Sequence, residues 1–259
     1  MTSLAEKIPA GHYRFTDVAR MEWIKLRSLR STWWTLVLTA AGAIGLAATV
    51  GVNTRNAHGD LTNNALAGIA PGLLFAGVLG ALVMTSEYTS GPIRATLAAV
   101  PKRLPVLWAK AGVFTLITLV TMTAAAFVAF AGGMALLSGQ HLQVALTAPG
   151  VTRAVIGTGL YLAVVGLLGV GLGALLRNTA GAIAAVVGLL MVLPPVSSLL
   201  GTWFTTHISP YLPSNAGGSL VQVHQHANAL SPWTGFAVMC AYAVAALALA
   251  AWALRRRDA

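Results

Sequence analysis

Six long apolar segments, almost free of charged side chains, constrain the fold of this chain more than any other feature. Charged residues make up 8% of the sequence, whereas a soluble domain carries roughly 25%. So few charges cannot cover a water-exposed surface, and a helix needs about 20 mostly apolar residues to cross a bilayer. We therefore predict an all-α, polytopic membrane protein with six transmembrane helices, over residues 32–52, 65–85, 108–136, 152–176, 179–200 and 233–254.

The distribution of basic residues predicts the orientation of these helices. Of the 16 lysines and arginines, 14 fall on one side of the predicted spans, and only Arg55 and Arg153 fall on the other. Because basic loops are retained in the cytoplasm, we expect both termini there, with the net charge of +10 facing anionic lipid headgroups rather than nucleic acid. The 14 residues are Lys7, Arg14, Arg20, Lys25, Arg27, Arg30, Arg94, Lys102, Arg103, Lys110, Arg177, Arg255, Arg256 and Arg257.

The chain before the first span, residues 1–31, is a predicted cytoplasmic N-terminus with an interfacial amphipathic helix. Phe15, Val18 and Leu26 share one face at helical spacing, although Glu22 interrupts that face. Such a helix is either an anchor on the membrane surface or a lever that also contacts a cytoplasmic partner. The membrane domain then covers residues 32–254, and a basic cytoplasmic tail follows over 255–259.

A cytoplasmic loop, predicted over 86–107, separates the second and third spans. Gly91 and Pro92 should break the helix that leaves the membrane, and residues 93–100 can then form a short helix before Pro101. Arg103 and Lys110 supply basic charge beyond it. This loop is either a docking point for another protein or a basic loop that only enforces topology.

Small residues and prolines mark two of the predicted spans. Gly169 and Gly173 lie four residues apart in the fourth span, a spacing that lets helix backbones approach closely in lipid. Pro194 and Pro195 interrupt the fifth span near its outer end, which predicts either a packed kink or a gate.

The external segment predicted over 201–232 contains no Lys, Arg, Asp or Glu. Its uncharged, aromatic and proline-bearing sequence is compatible with a segment that dips into the outer face of the membrane.

Several kinds of chemistry lack their sequence signatures here. The chain has no P-loop motif, and no predicted span has an Asp or Glu near its centre, where proton- and sodium-coupled pumps usually place them. The external His207, His224 and His226 have no acidic or thiol co-ligand near them, so we expect no metal site. We also expect no bound cofactor and no catalytic residue, and any pumping would need an energy source on another chain.

Four stretches together resemble the permease subunits of ABC-2-type ABC transporters, particularly the short bacterial ones encoded apart from their ATPase. Residues 22–28, EWIKLRS, are similar to the connecting helix of that family, and 87–94, EYTSGPIR, to its first cytoplasmic loop. The glycine-rich fourth span ends in LLRN, residues 175–178, and this stretch is similar to the next cytoplasmic turn of the family. PYLPSNAG over 210–217 is similar to the external segment.

This resemblance implies a permease that forms the translocation pathway as a dimer in a bacterial plasma membrane and exports an amphipathic or apolar cargo. A separate P-loop ATPase would bind ATP and Mg²⁺ and push on the cytoplasmic loop. The second permease chain would be the same or related. Under the resemblance, the connecting helix contributes Glu22, Lys25 and Arg27, and the ATPase-coupling residues are Glu87, Gly91, Arg94, Leu97, Arg103 and Lys110.

Two other functions remain open at the level of the sequence. An independent secondary carrier or channel would need an internal repeat or a broken-helix ion site. A membrane enzyme would need paired titratable groups facing one cavity, and a structural membrane subunit would need no site at all.

Overall fold

The computed structural model describes residues 14–28, 69–90, 104–137, 144–225 and 228–256, together with isolated positions between 33 and 66. The described residues form helices and turns and no β-strand. The first predicted span, 32–52, and the short helix predicted over 93–100 both lie outside the continuous described segments. Nine α-helices are used below: α1 Phe15–Ser28, α2 Ile69–Ser90, α3 Leu104–Leu137, α4 Val151–Leu176, α5 Thr179–Val187, α6 Leu193–Ser198, α7 Thr202–His207, α8 Pro213–Gly218 and α9 Pro232–Arg256.

Five stretches of helix in the described part are long and apolar enough to cross a membrane. They are α2, α3, α4, the stretch Thr179–Ser198 that joins α5 to α6, and α9. This is the pattern of a multi-pass membrane protein. Helix α2 continues to Ser90 and α3 begins at Leu104, so both helices extend into the residues predicted as a cytoplasmic loop.

Helix α4 lies at the centre of the bundle and packs against α2, α3 and α9. Glycines allow this packing on the α2 side. A Cβ atom at Gly169 would collide with the carbonyl oxygen of Gly77, and one at Gly80 would collide with the carbonyl oxygen of Gly166. Only glycine permits backbones to approach this closely, and in lipid such close approach is a main source of helix association.

A two-residue turn connects α4 to α5. Arg177 adopts a left-handed conformation (φ 53°), and its N–H donates to the carbonyl of Gly173, which ends α4. The Asn178 side chain then accepts a hydrogen bond from the Gly181 N–H at 2.8 Å and so caps α5. The turn reverses the chain, and α5 packs back against α2 and α4.

The paired prolines lie directly after a π-helical turn. Residues Gly188–Val192 form this turn, and Pro194 and Pro195 lie in the first turn of α6. Proline has no N–H and cannot bond to the carbonyl four residues earlier, so the helical hydrogen-bond register changes at this point. The turn is therefore explained by the prolines, whereas a gating role stays a prediction.

The segment between α6 and α9 is folded into short helices. After α7, Ser209–Tyr211 form a 3₁₀ turn, and α8 follows and packs against α9. The close contact with α9 depends on Gly235, where a Cβ atom would collide with the Ser219 hydroxyl and the Ala216 carbonyl.

Candidate functional site

Four charged side chains from three helices meet at one end of the bundle. Glu22 and Lys25 come from α1, Glu87 from the last turns of α2, and Lys110 from the second turn of α3. We call Glu22, Lys25, Glu87 and Lys110 the charge cluster. Its two carboxylates and two ammonium groups alternate, so its formal net charge is zero.

Lys110 is the centre of the charge cluster. Its Nζ donates to Glu22 Oε2 at 2.7 Å and to Glu87 Oε1 at 2.8 Å. Lys25 Nζ makes the same pair of contacts from the other side, at 3.2 Å to Glu22 Oε1 and at 3.2 Å to Glu87 Oε1. Each lysine therefore bridges the same two carboxylates.

Burial divides the four residues into an inner pair and an outer pair. The side chains of Glu22 and Lys110 are 0% and 2% exposed, whereas those of Glu87 and Lys25 are 13% and 32% exposed. A buried ion costs several kcal/mol unless a partner and hydrogen bonds offset the cost. The inner pair satisfies that condition with a short, charge-assisted hydrogen bond.

The helical spacing of residues in α1 places Glu22 on the apolar face of that helix. Val18, Glu22 and Leu26 recur at i, i+4 and i+8, and all three are buried. Val18 packs against Val106 and Ala109, the latter next to Lys110 in α3. The interruption of the apolar face by Glu22 is therefore the point at which α1 pairs with α3. Phe15, predicted on the same face, is mostly exposed.

Electrostatic interactions within the charge cluster favour the charged state of Lys25, which lies outside the membrane-spanning helices. Burial would lower the pKa of Lys25, but the attraction and hydrogen bonds of Glu22 and Glu87 outweigh that effect, and the pKa is raised above its ordinary value. Glu87 Oε2 is buried and accepts no hydrogen bond from a described residue. The cluster therefore favours Lys25 as a cation and leaves Glu87 Oε2 without a hydrogen bond from a described residue.

The charge cluster joins three helices on both sides of the segment between α2 and α3. Glu87 precedes and Lys110 follows residues 91–103, and α1 is bound to both. The described residues contain no group of His, Cys, Asp or Glu that could hold a metal ion.

Other predicted site residues lie apart from the cluster or outside the described residues. Arg27 is exposed on α1, and Gly173 packs against Ala81 of α2 as Gly169 packs against Gly77. Four predicted coupling residues fall outside the described part of the chain, namely Gly91, Arg94, Leu97 and Arg103.

A second polar site, which the sequence analysis did not single out, holds the segment after α6 against α4. Arg153 donates to the carbonyls of Ser219, Leu220 and Gln222, at 3.4, 2.7 and 2.9 Å. These carbonyls lie just beyond α8, where a helix leaves acceptors without internal partners. The lone basic residue at the start of the fourth apolar segment was the available signal.

Tyr161, which lies further along α4 than Arg153, also holds α8 in place. Its hydroxyl donates to the Ser214 carbonyl at 3.0 Å, and its buried ring fills the space left by the missing side chain of Gly217. Tyr161 lies ten residues into α4, about 15 Å along the helix axis. The segment therefore packs alongside α4 and does not stand away from the bundle.

Comparison of the chain with protein-family models and with curated proteins finds no match in either.

Proposed function

We propose that this chain is the membrane-spanning permease subunit of an ATP-driven exporter. A separate P-loop ATPase supplies ATP and Mg²⁺, and a second permease chain, identical or related, completes the translocation pathway. The complex sits in a bacterial plasma membrane with both termini of this chain in the cytoplasm. The chain itself carries no ATPase motif, so it does not hydrolyse ATP alone.

The charge cluster is the observation that carries the proposal. A permease driven from outside needs a rigid connection between the surface that is pushed and the helices that move. Lys110 provides one, because it binds α1 through Glu22 and α2 through Glu87 while it belongs to α3. Movement imposed on residues 91–103 then reaches α2 and α3 through helix ends that cannot separate without breaking buried ion pairs.

The distribution of basic residues supports ATPase binding at the end of the bundle that contains the charge cluster. Lys25, Lys110 and Arg177 lie at the same end of the bundle as the C-terminal arginines of α9. The predicted coupling residues Arg94 and Arg103 add two more basic residues to the sequence between α2 and α3. Positive residues are retained in the cytoplasm. ATP binding then shifts the complex between two states by its different affinity for each.

The composition of the spans supports an amphipathic or apolar cargo. Their described residues are mainly Ala, Gly, Leu and Val with some Ser and Thr, and they present no carboxylate near their centres. A carrier coupled to protons or sodium ions usually places such groups there. The independent carrier or channel is therefore the alternative against which the proposal is tested.

The experiment is a purification of the tagged chain from its native membrane in a gentle detergent. A P-loop ATPase at equimolar ratio supports the permease, and transport by the purified chain alone in vesicles without ATP contradicts it. Arg94→Glu should lower retention of the ATPase, whereas Arg20→Glu, an exposed charge on α1, serves as the control. Equal retention by both variants would count against docking at residues 91–103.

A further inference from the structure

A groove lies between the start of α3 and the end of α9. It has a volume of about 340 Å³ and is lined by Trp108 from α3 and by Val244, Leu247, Ala248, Ala251, Trp252 and Arg255 from α9. The two helices make few other contacts with each other. We call this feature the α3/α9 groove.

The length of the α3/α9 groove matches one leaflet of a membrane. Val244 and Arg255 are eleven residues apart in α9, which corresponds to about 16 Å along the helix axis. The hydrocarbon core of a bilayer is about 30 Å thick, so half of it is close to this length. The groove thus extends from near the middle of the membrane to its surface at the basic end of α9.

The lining of the α3/α9 groove changes along its length from apolar to basic. The same order, from acyl chain to charged headgroup, is found along a phospholipid. Its deep part has an apolar wall at Val244 and Leu247 and a floor of small side chains at Ala248 and Ala251. Its mouth carries the half-exposed indoles of Trp108 and Trp252, and indoles favour the membrane–water interface. Arg255 completes the mouth.

The positive charge at the mouth selects an anionic headgroup. Arg255 is exposed and makes no hydrogen bond or ion pair to a described residue. The Arg256 guanidinium lies 4.6 Å from the centre of the Trp252 ring, which holds a second positive charge beside the mouth. The tail RRRDA stays net positive even with Asp258. A headgroup whose phosphate charge is not balanced by an ammonium group complements this site better than a zwitterionic headgroup.

We propose that the α3/α9 groove binds one anionic phospholipid of the leaflet at the basic end of α9. One acyl chain lies along Ala248 and Ala251, the glycerol lies between Trp108 and Trp252, and the phosphate faces Arg255. This inference is independent of the proposed transport function, because it depends only on a multi-pass membrane protein with this groove.

The test is native mass spectrometry of the full chain, with any chain that co-purifies, after exchange into detergent with phosphatidylglycerol or phosphatidylethanolamine of identical acyl chains. We expect one phosphatidylglycerol retained per chain, with a preference of about fivefold for each arginine at the mouth. The double variant Arg255→Gln/Arg256→Gln should remove that preference. Arg14→Gln/Arg20→Gln, two exposed charges on or beside α1, should leave it unchanged.

A second pair of variants tests the acyl-chain site. Ala248→Phe fills the groove and should abolish retention, whereas Ala245→Phe adds the same ring to an exposed position of α9 outside the groove. Equal retention of the two lipids, or retention unchanged by Ala248→Phe, overturns the proposal.

A second copy of this chain could compete with lipid for the α3/α9 groove, and disulfide cross-linking distinguishes the two occupants. In a Cys240→Ala background, Ala248→Cys would then form a disulfide-linked dimer in the membrane, with no lipid retained at the groove. That outcome overturns the proposal. An Ala248→Cys chain that forms no disulfide-linked dimer and still retains phosphatidylglycerol supports it.

Discussion

Lys110 Nζ lies 2.7 Å from Glu22 Oε2 although 88 positions separate the two residues. Both side chains are almost fully buried, and the contact attaches α1 to the second turn of α3. Helix α1 is also held by the small apolar patch around Val18, by Leu26 in the main core and by the contact of Lys25 with Glu87. The buried ion pair adds a direct polar connection between α1 and α3.

Removal of Lys110 should be costly. Lys110→Met leaves Glu22 buried with only the half-exposed Lys25 as its partner, and we expect a loss of about 3–5 kcal/mol in the free energy of unfolding. Denaturant titration in mixed micelles measures this loss. Lys25→Met removes the same charge from the outer pair and should cost about 1 kcal/mol or less. Equal costs for the two variants would contradict the division into inner and outer pairs.

The same cluster predicts a double-mutant result. Glu22→Gln/Lys110→Met removes both members of the buried pair, so no unpaired inner charge remains. We expect this double variant to be more stable than Lys110→Met alone, in the same titration. Glu22 and Lys110 would not be coupled if the double variant lost as much unfolding free energy as Glu22→Gln and Lys110→Met lose in sum when each is measured alone.

Above about pH 6, the contribution of Lys25 to stability should change with pH only in the alkaline range. Its folded pKa is raised, so the stability it contributes is fully present below its unfolded pKa, about 10.4. The contribution is lost as pH rises through the higher folded pKa. The difference in unfolding free energy between wild type and Lys25→Met should be constant from about pH 6 to pH 9 and shrink above about pH 10.4. A difference that shrinks instead near neutral pH would contradict this assignment.

Glycines at the α2/α4 crossing should not tolerate alanine. Gly169→Ala places a methyl group on the Gly77 carbonyl, and we expect a cost of about 1–3 kcal/mol in unfolding free energy. Gly112→Ala in α3 is the matched control, since nothing lies within 4 Å of its Cβ position. That control should be stabilised by about 0.5–1 kcal/mol through helix propensity. Equal effects would show that close packing does not constrain Gly169.

Arg153 should hold the segment after α6 in place. Arg153→Lys keeps the charge but loses the planar fork that reaches three carbonyls, so α8 and the turn after it should exchange amide hydrogens at least tenfold faster. Hydrogen–deuterium exchange of residues 213–222 measures this effect. Tyr161→Phe removes one hydrogen bond and retains the packed ring, so its effect should be smaller.

The local pattern of the sequence predicted five of the six spans in the part of the chain that the structure describes, because an apolar run is encoded within one segment. Glu22, Lys25, Glu87 and Lys110 were each named as site residues through the resemblance to ABC-2-type permeases. Their association was not predicted, because it joins residues 62 and 88 positions apart and depends on how the helices pack. Gly169 was named from its four-residue spacing to Gly173, while its contact with Gly77 belongs to the tertiary structure.

Two features of the second half of the chain were harder to foresee for a related reason. Arg153 binds three backbone carbonyls, and a backbone acceptor leaves no trace in residue identity. The π-helical turn before the paired prolines was also not predicted, since the proline pattern indicates a break without specifying its register.

The most direct test of the central account is hydrogen–deuterium exchange on this chain in lipid nanodiscs together with the proposed ATPase partner, with and without trapped ATP. The account predicts that ATP changes exchange at residues 15–28 and 86–107 together, because the charge cluster joins them, and also at 201–225. Changes confined to the ATPase, or to residues 86–107 without 15–28, would contradict it.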